Sequence, residues 1–372
     1  MDASVARTGA VAGAGGPGRS AARPKGRGLV RADRPRRKRP HFGGLGPQVD
    51  STVVVLLPLF NDWESLRLVL ADLDASLARA GTRAAVVVVD DGSTAAPGPD
   101  FPGGPFAAIG RIEVVELRRN LGHQRAIAVG LAYVEATIAC RAVVVMDSDG
   151  EDAPADVPRL LARLDDEGGR AIVFAERARR SESWVFILFY QLFKFVHVIL
   201  TGSRVRVGNF SAVPRARLAS LVAVSEVWNH YAAAAFVSRQ PACTIPTTRA
   251  RRRSGRSRMD FVRLVAHGLS AISVHGEIVG VRLLVATLAL MALALAGLVA
   301  TVAVRLATDW TIPGWATSAI GLLVLVLLQA AMFCVVFSFL ILGGRQGSSF
   351  LPARDYAHYV GDVRVLREAP AR

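Results

Sequence analysis

Two runs of apolar residues, Leu283 to Val304 and Ala316 to Leu342, constrain this chain of 372 residues more than any other feature. The first is uncharged over 22 residues and the second over 27, with Gln329 as its one strongly polar interruption. A helix of about 20 residues crosses the hydrocarbon core of a bilayer, so each run is long enough to span it. The connection from Ala307 to Trp315 holds no Lys or Arg, whereas Arg249 to Arg263 precedes the first run and Arg345 and Arg354 follow the second. The positive-inside bias then predicts a multi-pass protein of the cell membrane, with Trp310 and Trp315 at the outer interface. Both termini, and the long segment before the hairpin, are expected on the cytoplasmic side.

Composition narrows the remainder. Hydrophobic residues make up 52% of the chain, more than an ordinary soluble domain carries. The net charge of +15 comes almost entirely from arginine, since the only lysines are Lys25, Lys38 and Lys194. Cys140, Cys243 and Cys334 are odd in number, far apart and without metal-ligand spacing, so neither a disulfide framework nor a zinc site is expected. Residues 1–48 are Gly, Ala, Pro and Arg with almost no large apolar side chains, and they carry +9 of the charge. Such a segment cannot bury enough surface to offset the entropy of ordering, and reads as a disordered basic tail suited to anionic lipid head groups. Specific nucleic-acid binding is not expected, because no aromatic residue is interleaved before Phe42 to stack on bases.

Between tail and hairpin, short β-branched runs alternate with longer helical patterns. Thr52 to Leu57, Ala84 to Val89, Ile112 to Leu117, Ala142 to Met146 and Ala171 to Phe174 read as strands. Glu64 to Ala80, His123 to Ala136 and Val157 to Leu164 show the apolar spacing of helices. Strands this uniformly apolar are covered on both faces, which predicts an α/β domain with a mainly parallel sheet. Trp184 to Leu200 is apolar but interrupted by Gln191, Lys194 and His197, and is expected to be an amphipathic helix lying in the membrane interface.

Ligands of such sheets bind beyond the carboxyl ends of the strands, and the chemistry-bearing residues fall there. Val143 to Met146 ends in Asp147-Ser148-Asp149, whose spacing sets both carboxylates on one side, where a single divalent cation can reach them. Val86 to Val89 ends in Asp90-Asp91-Gly92-Ser93, with carboxylates able to accept from a ribose or a base N–H. Pro58-Leu59-Phe60-Asn61-Asp62 ends the preceding strand. Arg118-Arg119-Asn120-Leu121-Gly122 opens a helix whose amides suit phosphate. His123 and His230 lack a paired ligand at metal spacing and are read as structural or surface residues.

Taken together, Pro58 to Asp62, Asp90 to Ser93, Arg119 to Gly122 with Ala126 and Gly130, Met146 to Asp149 with Glu151 to Pro154, and Arg252 to Ser257 resemble glycosyltransferase family 2. The resemblance is to its polyprenyl-phosphate sugar transferases, similar to dolichol-phosphate mannose synthase. It implies a GT-A fold, followed by interfacial helices and two transmembrane helices. It also implies a nucleotide-sugar donor, UDP- or GDP-linked, and a polyprenyl phosphate acceptor. Pro58, Asn61, Asp62, Asp90, Asp91, Asn120 and Gly122 would then line the donor site. Asp147 and Asp149 would hold Mg²⁺ or Mn²⁺ on the diphosphate. Asp152 would stand near the acceptor as base or orienting group, and Arg252 and Arg256 would clamp phosphate, with Arg206, Asn209 and Arg215 as further lining candidates. The family commonly has Glu in place of Asp62, a Leu-Gln pair in place of Gly150-Glu151, and Asp-x-Gly within the stretch Arg206 to Phe210.

The expected organisation is a tail at 1–48, a glycosyltransferase domain at 49–245, a basic juxtamembrane segment at 246–280, a transmembrane hairpin at 281–343 and a cytoplasmic tail at 344–372. A transferase to another lipid or hydroxyl acceptor, or a non-catalytic membrane scaffold on a degenerate domain, is the alternative. The oligomeric state, a homo-oligomer included, is left open.

Overall fold

The structure is a computed structural model that describes residues 52–177, 191, 195–202, 207–248, 250, 268–308, 314–346 and 350–368. The basic tail, most of the expected interfacial helix, Arg206, Arg252, Arg256 and Trp310 lie outside the described residues.

Eight strands form one mixed sheet. In chain order they are β1 (Val53–Leu59), β2 (Ala84–Asp90), β3 (Ile109–Leu117), β4 (Ala142–Val145), β5 (Ile172–Arg177), β6 (Val207–Pro214), β7 (Ala242–Thr247) and β8 (Val360–Glu368). Across the sheet they run β7-β5-β6-β4-β1-β2-β3-β8. The centre is parallel, with Val53 to Leu59 in register with Ala84 to Asp90 on one side and Val53 to Leu56 with Ala142 to Val145 on the other.

Every residue of β1 and β2 is buried. Alternation sends successive side chains to opposite faces. Val54, Leu56, Val87 and Val89 pack with Ile127 and Leu131 of α2 (His123–Thr137) and Tyr231 of α5 (Tyr231–Val237). Val53, Val55, Leu57, Val86 and Val88 pack instead with Leu66, Leu70 and Leu73 of α1 (Trp63–Arg79) and Leu160 and Leu164 of α3 (Val157–Asp166). α2 comes so near the sheet at Gly130 that a Cβ there would sit 2.6 Å from Leu56 Cδ1 and 2.7 Å from Val89 Cγ2. On the other face the buried Asp74 of α1 accepts from the amides of Ala107, Ala108 and Ile109, fixing the approach to β3.

The five expected strands are present, and three others were not legible. β6 carries Gly208, Asn209, Ser211 and Pro214, which blur its period, and it runs antiparallel between β4 and β5. β7 contains Pro246 and sits at the sheet edge, where a missing N–H is tolerated. β8 corrects the expectation of a tail after the hairpin: the returning chain pairs antiparallel with β3 along Arg111 to Leu117. It is a largely exposed edge strand, and its Asp362, Arg364 and Arg367 give that edge the charge that discourages further pairing.

α6 (Gly276–Ala307) and α7 (Trp315–Gln346) contain the two apolar runs and pack as a helical hairpin. Only 6% of the most apolar stretch of either helix is buried, so neither is the core helix of a soluble domain. Their contact uses small residues, with Gly280 against Ile341 and Gly297 against Leu323, as close helix packing in lipid requires. These helices make the chain a membrane protein. At their base, helical residues 195–201 expose Phe195 and Ile199, while Arg282 Nη1 of α6 donates to Ile199 O at 2.6 Å.

Beyond α7, Phe350 stacks on Trp228 with ring centroids 3.7 Å apart, and Tyr359 closes on both rings. Arg125 in the first turn of α2 lies over the Trp228 ring, 5.1 Å from its centroid. The close approach at Gly130 supplies a test of the core. Gly130→Val should lower stability by about 2 kcal/mol, because neither Leu56 nor Val89 has room to move, and a thermal melt of the detergent-purified protein reads the loss.

Candidate active site

From β1 the chain moves outward through β2 and β3, then crosses back to place β4 on the other side of β1. In open α/β sheets ligands bind at such a switch point, beyond the carboxyl ends of the strands, and the loops that follow β1, β2 and β4 lie at that end.

The β1 and β2 loops are stitched together by Asn61. It adopts a left-handed φ of 54°, which Asn tolerates better than most residues. Its amide donates to Ser93 Oγ at 2.9 Å, and its Oδ1 accepts from the amides of Thr94 and Ala95, both at 2.8 Å. Asp62 stands at the start of α1 without capping it through its side chain. Pro58 carries the carbonyl that accepts from Ser148 Oγ at 2.8 Å, which ties the β4 loop to β1.

The paired acids on β2 divide their tasks. Asp90 Oδ1 accepts from the Ser93 amide at 2.9 Å. Asp91 is 3% exposed and spends both oxygens on the next loop, with Oδ1 accepting from Leu121 N at 2.6 Å and Oδ2 from Gly122 N at 2.8 Å. Burial pushes the Asp91 carboxyl above its ordinary pKa, although the two amides pull the other way. Asp91 thus braces the Arg118 to Gly122 loop from beneath. Gly92 completes the joint: its φ is +73°, and a Cβ there would lie 2.8 Å from Asn120 N and 3.0 Å from Arg119 C.

On the β4 side, Asp147 N donates to Asp152 Oδ2 at 2.9 Å and Asp149 Oδ1 accepts from Glu151 N at 2.9 Å. Asp152, 4% exposed, therefore supports the acidic loop from within. Asp147 Oδ1 lies 3.2 Å from His123 Nε2 at the start of α2. Partial desolvation opposes charge on the His123 ring, but Asp147, with Asp152 and Asp149 behind it, outweighs this and holds its pKa above the ordinary histidine value. Asn209 of β6 also reaches His123, its Nδ2 lying 2.9 Å from Nε2.

The structure thus brings Pro58, Asn61, Asp62, Asp90, Asp91, Asn120, Gly122, Asp147, Asp149, Asp152 and Asn209 to one end of the sheet. Arg215 does not join them. It opens α4 (Arg215–Val222) at the opposite end, where Nη2 donates to Glu135 O at 2.9 Å. His230 is a buried cap of α5, accepting from Ala233 N. His123, read as a structural or surface residue, is exposed at the start of α2 and lies beside Asp147. Its one sequence signal is its place directly after Gly122, at the opening of a helix.

Among the described residues no three His, Cys, Asp or Glu side chains cluster to enclose a metal. Asp147 and Asp149 offer oxygen donors from one loop, a set that suits a hard cation whose remaining ligands are substrate phosphate and water. The residues present fit a cation of that kind.

Residues 54–218 match the model of Glycosyl transferase family 2. This stretch, from β1 into α4, is therefore a family 2 glycosyltransferase domain. Two sequence relatives are both named undecaprenyl-phosphate 4-deoxy-4-formamido-L-arabinose transferase. The Klebsiella pneumoniae protein is 26% identical over 222 residues, covering 57% of this chain and 64% of its own length. The Enterobacter protein is 25% identical over 335 residues, covering 86% and 90%. Among solved structures, a mycobacterial protein aligns with a TM-score of 0.44 at 18% identity, over 62% of this chain and 75% of its own.

The Gly92 joint predicts a separable defect. Gly92→Ala should displace the Arg119 to Gly122 loop and weaken nucleotide binding about tenfold or more. Isothermal titration with UDP and GDP, beside a melting curve, would separate lost binding from lost fold.

Proposed function

We propose that this glycosyltransferase moves one sugar from a nucleotide-diphosphate sugar to a polyprenyl phosphate at the cytoplasmic membrane surface, with inversion. The observation that carries the reading is the Asp147/Asp149 pair directly after β4, at the carboxyl end of the parallel strands, in a chain that also bears two long apolar helices. The names of the Klebsiella and Enterobacter relatives support the acceptor class.

In this reading Asp147 and Asp149 hold Mg²⁺ or Mn²⁺, which would offset charge on the departing nucleotide diphosphate. Asn61 and Asp91 keep the donor loops in place, Asp90 and Asn120 face the nucleoside, and the N-terminal turn of α2 favours phosphate. A phosphate acceptor is already anionic and needs little general-base help, in keeping with Asp152 as an orienting group bonded to the Asp147 amide. Arg252 and Arg256, outside the described residues, are assigned to the acceptor phosphate, which guanidinium forks suit.

The antiparallel pairing of β8 with β3 supports an orientation in which both ends of the hairpin share the side of the sheet. The arginines flanking the apolar runs, against none in 307–315, support the cytoplasm as that side.

Purified protein given undecaprenyl phosphate, Mn²⁺ and a panel of UDP- and GDP-sugars should form a glycosyl-phospholipid detectable by mass spectrometry. EDTA should abolish it, and Asp149→Ala should lower the rate on the order of 100-fold, as loss of charge stabilisation does. Release of nucleotide with no lipid product would move the acceptor to another class. For orientation, with the native thiols replaced, Thr308→Cys should react with an impermeant maleimide on intact cells, and Arg364→Cys only after permeabilisation.

A further inference from the structure

We propose that α7 pairs within the membrane with α7 of a second copy of this chain, through a seam of apolar side chains centred on Gln329. Gln329 is the one strongly polar residue of its run and stands midway along it, thirteen residues from Ala316 and thirteen from Leu342. At a rise of about 1.5 Å per residue each end is about 20 Å away, beyond the reach of the side chain. The residue is exposed on the hairpin, and among the described residues nothing partners its amide. Thr287, Thr301, Ser318 and Ser338 instead donate to the carbonyls four residues before them in their own segments. Hydrocarbon offers no water to bond a carboxamide, so the hairpin by itself leaves both the donor and the acceptor of Gln329 unmet.

The neighbours of Gln329 identify what covers it. Leu323 and Ile341 meet α6 at Gly297 and Gly280, and at 3.6 residues per turn Gln329 points about 120° away from them. There it belongs to a row, Leu322, Leu325, Gln329, Met332, Val336 and Phe339, spaced alternately three and four residues apart. The apolar members of the row are between 44% and 70% exposed. Such spacing is the a and d repeat of a coiled coil, a packing that most helix pairs in membranes share. Two copies inserted in one bilayer have the same orientation, and in a parallel pair equivalent positions face each other across the two-fold axis. Leu322, Gln329 and Val336 occupy one such position, which sets each Gln329 against the other at the same depth. A carboxamide is self-complementary, because the N–H of each side chain can donate to the oxygen of the other. A different helix would need a polar group of its own at this depth, whereas a second copy supplies it by symmetry.

Sulfhydryl cross-linking in native membranes reads the seam. In the full-length protein with its native cysteines replaced, Met332→Cys should form a disulfide-linked dimer under copper phenanthroline. Val335→Cys, at a position 55% exposed but on another side of the helix, should not. Sedimentation equilibrium in detergent should show a monomer–dimer equilibrium whose dissociation constant rises about tenfold in Gln329→Leu, the scale of hydrogen bonding between membrane helices, with an unchanged melting curve. Gln329→Asn, which keeps the amide, should recover part of the loss. A monomer at every ratio of protein to detergent, with no cross-link in membranes, would overturn the pairing. A dimer equally stable in Gln329→Leu, or cross-linked through Val335→Cys in preference to Met332→Cys, would overturn the seam. Cross-linking of Met332→Cys to a different membrane protein would overturn the second copy as the occupant.

Discussion

A sheet covered on both faces takes a polar side chain inside a strand only where a partner stands beside it, as Arg111 and Tyr133 stand beside Glu113, and leaves its other polar groups to the strand ends. β1 and β2 are buried throughout, and α2 presses so closely that glycine alone fits at position 130. Carboxylates within such strands would have to leave water without compensation. Asp90, Asp91, Asp147 and Asp149 stand at the carboxyl edge, and the reversal of strand order between β1 and β4 brings these loops to one end of the sheet.

At that edge most polar groups hold the loops before they can hold anything else. Asp91 gives both oxygens to the amides that open α2, Asn61 binds the β2 loop through backbone and side chain, and Asp152 takes the Asp147 amide. A buried carboxylate is tolerated when several N–H donors replace its water, and Asp91 meets that condition with two main-chain donors. The loops are thereby rigid enough to present Asp147 and Asp149, which suits a site that acts by placing charge rather than by covalent chemistry.

The membrane helices are joined to the same edge from behind. The chain leaving α7 passes Phe350 and Tyr359 over Trp228, which lies under Arg125 of α2. Tyr359 O accepts from Arg118 N at 2.9 Å, and β8 then extends the sheet beside β3. The loop that Asp91 braces from one side is thus held from the other by the segment returning from the hairpin. The segment returning from the hairpin and the loop that opens α2 share one set of contacts.

Much of this was legible in the residues themselves because the signals are local. Uninterrupted apolar runs mark the hairpin, uniform β-branched stretches mark β1, β2 and β4, and acids directly after such stretches mark the site. The rest depends on partners remote in sequence. β6 and β7, broken by Asn209 and Pro246, are strands only because β4 and β5 offer them backbone partners, and β8 exists only because the hairpin returns it to β3. Nothing near Asp91 announces that its acceptors will meet amides 30 residues on, nor does His123 announce Asp147. Sequence alone determined the membrane helices, the α/β class and the acidic strand ends, since hydrophobic period and backbone preference act over a few residues. Tertiary structure decided which acids serve as braces, because a carboxylate's role follows from the donors that folding brings to it.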